Sequence, residues 1–125
     1  MTLPAKVCYL GDRGMDFDRE FLTGTVSVLI LSLLAERTMY AYEMLQEAER
    51  RSAGTFRLKE GTIYPALHQM ERAGLLQATW RESAEGRSRK YYALTAKGRS
   101  QARSKRRQWD SLLAAMRAIL GDARA

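Results

Sequence analysis

Apolar residues recur with a helical period in three segments before residue 75. In the first, residues 21–36, Leu22, Val26 and Ile30 are spaced as on one helix face. The opposite side is also apolar, with Val28, Leu31 and Leu34. A soluble helix that is apolar nearly all round must be covered all round, and a domain of this size covers one face. The pattern therefore predicts that a second chain covers the other face.

The second amphipathic segment spans residues 39–52. Thr38 is suited to be its N-cap, and Gly54 is suited to end it. The predicted core stripe consists of Ala41, Met44, Leu45 and Ala48.

The third helix, predicted over residues 60–73 and ended by Gly74, has one apolar face and one bare face. The apolar face consists of Ile63, Ala66, Leu67, Met70 and Gly74. The other face consists of Gly61, Pro65, His68 and Arg72, flanked by Tyr64 and Gln69. Solvated helix faces usually carry Glu, Lys and Gln, so this face is suited to close approach to another molecule. Pro65 has two interpretations at this point: it fixes the helix start, or it reduces bulk at a contact surface.

Two short strands follow, over residues 75–81 and 90–95. The polar segment between them, residues 82–89, predicts a hairpin tip that brings Arg87, Arg89 and Lys90 close together. The tip is expected to contact phosphates, with an ordinary solvated turn as the alternative. Because side chains alternate along a strand, only one of Tyr91 and Tyr92 is expected to point inward.

A long last helix is predicted from an N-cap at Thr95 to about Leu120. It carries an apolar stripe that matches the surplus apolar surface of the first helix, so we expect a homodimer formed by both helices. The expected dimer interface consists of Leu22, Val26, Ile30, Trp109, Leu112, Leu113, Met116 and Leu120. The predicted organisation is an N-terminal arm (1–15), a domain of three helices and a hairpin (16–95) and a C-terminal dimerisation helix (96–125).

Charge indicates the kind of partner. The 125-residue chain has a formal net charge of +7. Basic residues are concentrated between residues 81 and 107, where only Glu82 and Glu85 oppose them. This asymmetry favours a polyanion, nucleic acid first and an anionic membrane second. The alternative is a solvated face that keeps the protein soluble.

Composition argues against several other classes of protein. Cys8 is the only cysteine and His68 the only histidine, so neither an intramolecular disulfide nor a metal site is expected. No pair of nucleophile and base is evident, so we expect no enzyme activity and no cofactor. The longest apolar segment, residues 26–35, is shorter than the roughly 20 residues of a membrane span. With no secretory signal evident, the protein is expected in the cytoplasm.

The order of elements predicts a mainly α fold with a small β-hairpin: a winged helix-turn-helix followed by a long dimerisation helix. In this fold the third helix enters the major groove of DNA, and the hairpin contacts phosphates. The expected DNA-contacting residues are Lys59, Gly61, Thr62, Tyr64, Pro65, His68, Gln69, Arg87, Arg89 and Lys90. An alternative is a winged-helix module for protein or RNA contacts. Double-stranded RNA hides its major groove from side chains, which disfavours the RNA alternative.

Several motifs in order resemble one known family. They are residues 41–44 (AYEM), 61–67 (GTIYPAL), 71–76 (ERAGLL), Trp80 and 89–99 (RKYYALTAKGR). The chain resembles PadR-like transcriptional regulators, in the short subgroup with one C-terminal helix. The resemblance implies a homodimeric DNA-binding repressor that releases DNA on binding a small aromatic or drug-like effector. Because a two-fold dimer places two recognition helices about one DNA turn apart, the operator is expected to be an inverted repeat. The resemblance also implies that Tyr64 contacts the operator and that Trp109, with Leu113 beside it, lines a flat effector pocket at the dimer interface. Simple packing is the alternative for Trp109.

The chain departs from the family pattern at two places. Ala41 replaces a common glycine, and Lys59 with Glu60 replaces a common serine and proline. Lysine is a poor N-cap and opposes the helix dipole. Either Lys59 reaches a phosphate, or the third helix starts one or two residues later.

Overall fold

A computed structural model describes residues 24–121 as four helices and a small antiparallel sheet. The helices are α1 (Thr25–Leu34), α2 (Ala41–Arg51), α3 (Glu60–Arg72) and α4 (Ala96–Leu120), and the strands are β1 (Met39–Tyr40), β2 (Leu76–Glu82) and β3 (Ser88–Leu94). The strand order is β1-β3-β2. This arrangement confirms the predicted fold class, a winged helix-turn-helix with a long C-terminal helix. The predicted arm and Leu22 lie outside the described residues.

The core lies where α1, α2 and α3 meet the inner face of the sheet. Its fully buried side chains are Ile30, Met39, Met44, Ile63, Leu67, Tyr92 and Leu94. The helix stripes expected from periodicity supply four of these residues. Strand alternation left Tyr91 and Tyr92 equivalent, and the structure selects Tyr92 as the inward residue.

The first helix is covered by its own chain. α1 packs against α2, α3, α4 and β3, and Ser32 is its only exposed residue. Val26 and Ile30 are buried in these contacts without a partner chain. The argument that placed them at a dimer interface assumed that one small domain covers a single helix face. That assumption is wrong here, because four elements surround α1.

The second helix starts later than predicted, and Thr38 is not its N-cap. Residues 39–40 form β1, in which Met39 pairs with Tyr92 of β3. Tyr40 is the N-cap, and its backbone N–H donates to Glu43 Oε1 at 3.1 Å. The side chain of Met39 is fully buried in this strand. Strand pairing therefore overrides the local helical pattern at this residue.

The β2–β3 hairpin, which we call the wing, is longer than predicted. Its strands pair from Leu76 with Leu94 to Glu82 with Ser88, so the turn comprises only residues 83–87. Ser83 N–H donates to Arg87 O at 2.7 Å across this turn. Arg87 therefore lies in the turn and Arg89 and Lys90 lie in β3, and all three residues line the same surface groove.

The end of α3 is joined to the start of α4 by a compact set of backbone contacts. Gly74 has a φ of 81°, and Leu75 N–H donates to Met70 O at 3.0 Å, which ends α3 as predicted. Thr95, the predicted N-cap of α4, accepts a hydrogen bond from Gly98 N–H at 3.0 Å and donates one to Gly74 O at 2.6 Å. A Cβ on Gly98 would lie 2.1 Å from Leu75 O. Only glycine permits this approach.

Candidate nucleic-acid interface

α3 has the two faces that its sequence predicts. Ile63, Leu67 and Met70 are buried against the core. The opposite side, which we call the outer face of α3, is exposed at Gly61, Tyr64, Pro65, His68 and Gln69, with Lys59 exposed before it and Thr62 half-buried. Between residues 61 and 70 no carboxylate interrupts this face. Negative charge on this helix is confined to its two ends, at Glu60 and Glu71.

The start of α3 resolves two questions left open by the sequence. The helix begins at Glu60 with Lys59 as N-cap, and the N–H of Ile63 donates to Lys59 O at 3.1 Å. The alternative of a later start is wrong. Pro65 lies inside the helix and is exposed, so it does not fix the helix start. Its interpretation as a low-bulk position on a contact surface remains.

A groove separates the outer face of α3 from the wing. Tyr64 and His68 line its helix side, with ring centroids 6.5 Å apart. Trp80 and Arg87 line its wing side. Trp80 is 67% exposed, which is unusual for the largest apolar side chain. Aromatic groups thus border the groove on both sides, with Arg87 on the wing side and the carboxylate of Glu60 at the start of α3.

Trp80 and Tyr42 were missing from the predicted contact residues, although both are exposed and line this groove. Alternation places Trp80 on the inward side of β2 with Leu76 and Ala78. The strand extends past the core before it reaches Trp80. A signal was present in the sequence, since an aromatic residue near a polar turn marks a position beyond the core.

Arg89 of the wing is held by β1. Its guanidinium lies 4.5 Å from the centroid of the Tyr40 ring, and its Nη1 donates a hydrogen bond to the Tyr40 hydroxyl. The centroids of the Tyr40 and Tyr91 rings are 5.3 Å apart, and the two rings meet edge to face. The Arg81 guanidinium lies 4.5 Å from the centroid of the Tyr91 ring. These cation–π contacts hold Arg89 on the sheet.

Lys90 is turned toward α3. Its Nζ lies 3.4 Å from Glu71 Oε1 and 5.4 Å from the centroid of the Tyr92 ring. Burial lowers the pKa of Lys90, but Tyr92 and Glu71 raise that pKa by more, so the net direction is upward and the ammonium keeps its proton. Burial also raises the pKa of Tyr92. Lys90 therefore ties the wing to α3, and Arg87 is the wing cation that the turn exposes.

The second half of α4 carries a different surface. Trp109 is half-buried, and every residue from 111 to 120 is exposed. The large apolar side chains on this segment are Leu112, Leu113, Met116, Ile119 and Leu120. Four of these five were predicted for a dimer interface, and Ile119 was not. Nothing within residues 24–121 covers this segment, which we call the apolar segment of α4.

Within residues 24–121 there is neither a membrane-spanning helix nor a cluster of metal-binding side chains. None of the helices there combines the length and apolarity that crossing a membrane requires. No three His, Cys, Asp or Glu side chains are grouped there in a way that could hold a metal ion.

The fold and the sequence both have close counterparts among bacterial regulators. The transcriptional regulator Rv3488 of Mycobacterium tuberculosis is 34% identical over 103 residues, which cover 82% of this chain and 90% of that protein. The crystal structure of a PadR family transcription regulator from Clostridium difficile superposes with a TM-score of 0.70 at 34% identity, covering 78% of this chain and all of that one. A transcriptional regulator from Clostridium thermocellum superposes with a TM-score of 0.74 at 25% identity, covering 84% and 99%.

The family assignment follows from one further match. The model of the transcriptional regulator PadR-like family matches residues 30–104. That range contains α2, α3, the wing and the junction between α3 and α4, so it includes every element of the candidate interface. The chain belongs to the PadR-like family of transcriptional regulators.

Proposed function

We propose that this regulator is a homodimeric repressor that binds an inverted-repeat operator. The outer face of α3 carries the proposal, because it is exposed, free of carboxylates between residues 61 and 70, and flanked by a wing held at a defined position. A helix presented in this way fits the major groove of B-DNA.

The proposed contact residues have four roles: base contacts, close approach of the helix, phosphate contacts and support of the wing. His68 and Gln69 offer side chains that can bond base edges, while Gly61 and Pro65 allow the helix to approach closely. Tyr64 and Thr62 lie on the same helix as these four residues. Lys59 and Arg87 are proposed to contact phosphates, which position the protein without reading sequence. Arg89 and Lys90 act indirectly, since their contacts with Tyr40 and Glu71 fix the wing.

Dimerisation through the apolar segment of α4 would place two copies of α3 about a two-fold axis. The interface would contain Trp109, Leu112, Leu113, Met116 and Leu120 of each chain. Two recognition helices about one DNA turn apart, roughly 34 Å, require a palindromic operator. Leu22 remains part of this proposal, whereas Val26 and Ile30 already serve the core of the protomer.

DNA binding is tested with duplexes from the region upstream of the chain's own gene, by fluorescence anisotropy at fixed salt. We expect nanomolar binding to one palindromic segment and binding weaker by 10³-fold or more to a shuffled duplex. H68A and Q69A should change base preference more than overall affinity. Equal affinity for the native and shuffled duplexes would overturn operator recognition, and a preference for RNA or for a protein would support the alternative module.

Repression is tested separately, with a reporter gene placed behind the selected segment. Expression of the protein should lower reporter output. When one half-site of the palindrome is scrambled, the output should stay high. An increase in output would show activation instead.

An effector site between the Trp109 and Leu113 side chains of the two chains completes the proposal. Two facing indoles leave a slot for a flat aromatic compound. The chain has two tryptophans, Trp80 and Trp109, so dye titrations of W109A and W80F separate their fluorescence. We expect W80F to bind the dye as the parent does. If dimeric W109A binds the dye with unchanged affinity, Trp109 is a packing residue.

A further inference from the structure

Trp80 is the most exposed of the described Phe, Tyr and Trp side chains. It lies opposite Lys90 in the wing, but the Lys90 ammonium is bonded to Glu71. Within the described part of the chain, neither an aromatic ring nor a cation stacks on the indole. Tyr42 and Tyr64, both exposed, line the same groove. Three exposed aromatic side chains around one groove indicate a contact surface.

The charges that line this groove differ from those of a phosphate-binding channel. Two of its three Arg and Lys residues, Arg89 and Lys90, are bonded within the fold. The third, Arg87, is exposed on the turn, and the carboxylate of Glu60 lines the groove with it. A groove with aromatic walls and nearly balanced charge suits an uncharged, partly apolar surface better than a row of phosphates.

DNA offers such a surface between its phosphates. In the proposed complex α3 enters the major groove and the wing contacts the adjacent backbone, so one strand passes between α3 and the wing. The groove between these two elements has a volume of about 710 Å³, which is room for a short length of that strand. The uncharged part of the backbone is the deoxyribose ring, whose C–H groups pack against an aromatic face.

We propose that Trp80 packs its indole against a deoxyribose of the strand that lies between α3 and the wing. The inference rests on the proposed DNA binding and adds a contact residue to it. Every nucleotide carries this sugar, so the contact is independent of base sequence. It neutralises no phosphate and therefore releases no counterion. Trp80 thus adds affinity for every duplex without changing the salt dependence, whereas Arg87 changes both.

The first test measures fluorescence anisotropy of the full chain with the selected palindromic duplex and with its shuffled counterpart. W80A should weaken binding to both duplexes by about tenfold, which corresponds to roughly 55 Å² of apolar surface no longer removed from water. The salt slope of log affinity for W80A should equal that of the parent. W80F keeps an apolar ring and should recover most of the lost affinity.

The matched control is T79A, which truncates the neighbouring exposed residue on the opposite face of β2. Its affinity for both duplexes should stay within about twofold of the parent. Because Trp80 and Thr79 are both exposed, circular dichroism should show that both variants fold.

A second measurement places the indole at the DNA. The chain has two tryptophans, so W109F leaves Trp80 as the only one and W80F leaves Trp109. Acrylamide quenching of Trp80 should fall by about twofold or more when the duplex is added, because the sugar covers the indole. Quenching of Trp109 should change much less, since α4 does not line the groove. A purely structural role of Trp80 would produce no such protection.

Four outcomes would overturn the sugar contact. They are unchanged affinity of W80A, a loss of equal size in T79A, unchanged quenching of Trp80 on saturating DNA, and a reduced salt slope for W80A, which would mean that Trp80 positions Arg87. A 2-aminopurine in the operator strand reports unstacked bases, so a rise in its emission that W80A abolishes would mean stacking on a base instead of a sugar.

Failure of operator recognition gives a different result. Equal binding of the parent to both duplexes would overturn operator recognition, and a tenfold loss in W80A on both would still support the sugar contact. Absence of binding to any duplex would overturn both proposals.

Discussion

The winged-helix core and the apolar segment of α4 use large apolar side chains in opposite ways. In the core, seven large side chains are almost completely removed from solvent by elements of one chain. On α4, between residues 112 and 120, five large apolar side chains are at least 40% exposed. A patch of this kind on a soluble protein marks an interaction site. One region is complete within a single chain, and the exposure of the other supports the proposed dimer.

The largest expected effect is a difference in the free energy of unfolding between a variant in the core and a variant in the apolar segment of α4. L67A removes a fully buried side chain of α3 and should lower the free energy of unfolding by about 2–5 kcal/mol at every protein concentration. L113A removes an exposed side chain and should change the stability of dilute protein by less than about 0.5 kcal/mol. Urea unfolding at several concentrations measures both.

The same pair also tests the proposed dimer. L113A should lower the melting temperature mainly at high protein concentration, where dimer formation stabilises the parent. If sedimentation shows that the parent is monomeric at micromolar concentration, the contrast between the regions has another cause.

Two glycines give the next contrast. G98A should destabilise the fold by about 1–3 kcal/mol, because its Cβ would collide with Leu75 O where α4 meets the end of α3. G61A should stabilise the fold by about 0.5–1 kcal/mol, since no atom lies within 4 Å of its Cβ and alanine favours helix. Thermal unfolding measures both, and G61A should at the same time weaken operator binding. Improved stability with unchanged DNA affinity would remove Gly61 from the interface.

Within the wing, Arg87 and Lys90 should respond differently. R87Q should weaken binding to all DNA sequences and reduce the magnitude of the salt slope of log affinity by about 1, as loss of one phosphate contact requires. K90Q should leave that slope nearly unchanged and should alter sequence preference, because Lys90 is bonded to Glu71. Anisotropy titrations between 50 and 200 mM salt, roughly the range in which counterion release is measured, decide this. Equal slopes for R87Q and the parent would remove Arg87 from the phosphate contacts.

The smallest effect concerns the ion pairs of Glu47 within α2. Hydrogen bonds from Arg50 and Arg51 lower the pKa of Glu47 to about 2 from 4.5. A carboxyl group with a lowered pKa stabilises the fold above its unfolded pKa, and this contribution is lost as pH falls from about 4.5 toward about 2. E47Q should flatten the pH dependence of stability in that window. Because the groups are exposed, the effect should also shrink at high salt, which urea unfolding can measure.

Features with local causes were predictable from the sequence. The two faces of α3 follow from helical spacing, its end at Gly74 from the need for a left-handed residue, and the start of α4 from the capping side chain of Thr95. The motifs of the PadR-like family lie in the same segments. Each of these features depends on residues within a few positions of one another.

Features that depend on distant residues were decided by the tertiary structure. Met39 lies in a strand and not in a helix because Tyr92 of β3, more than 50 residues later, pairs with it. The same pairing placed Tyr40 beside Arg89 and made Tyr92 the inward tyrosine. Gly98 matters because Leu75 O approaches it from the end of α3. Periodicity within a segment records which face is apolar, but the choice among equivalent faces, partners and counter-charges depends on the elements that pack against that segment.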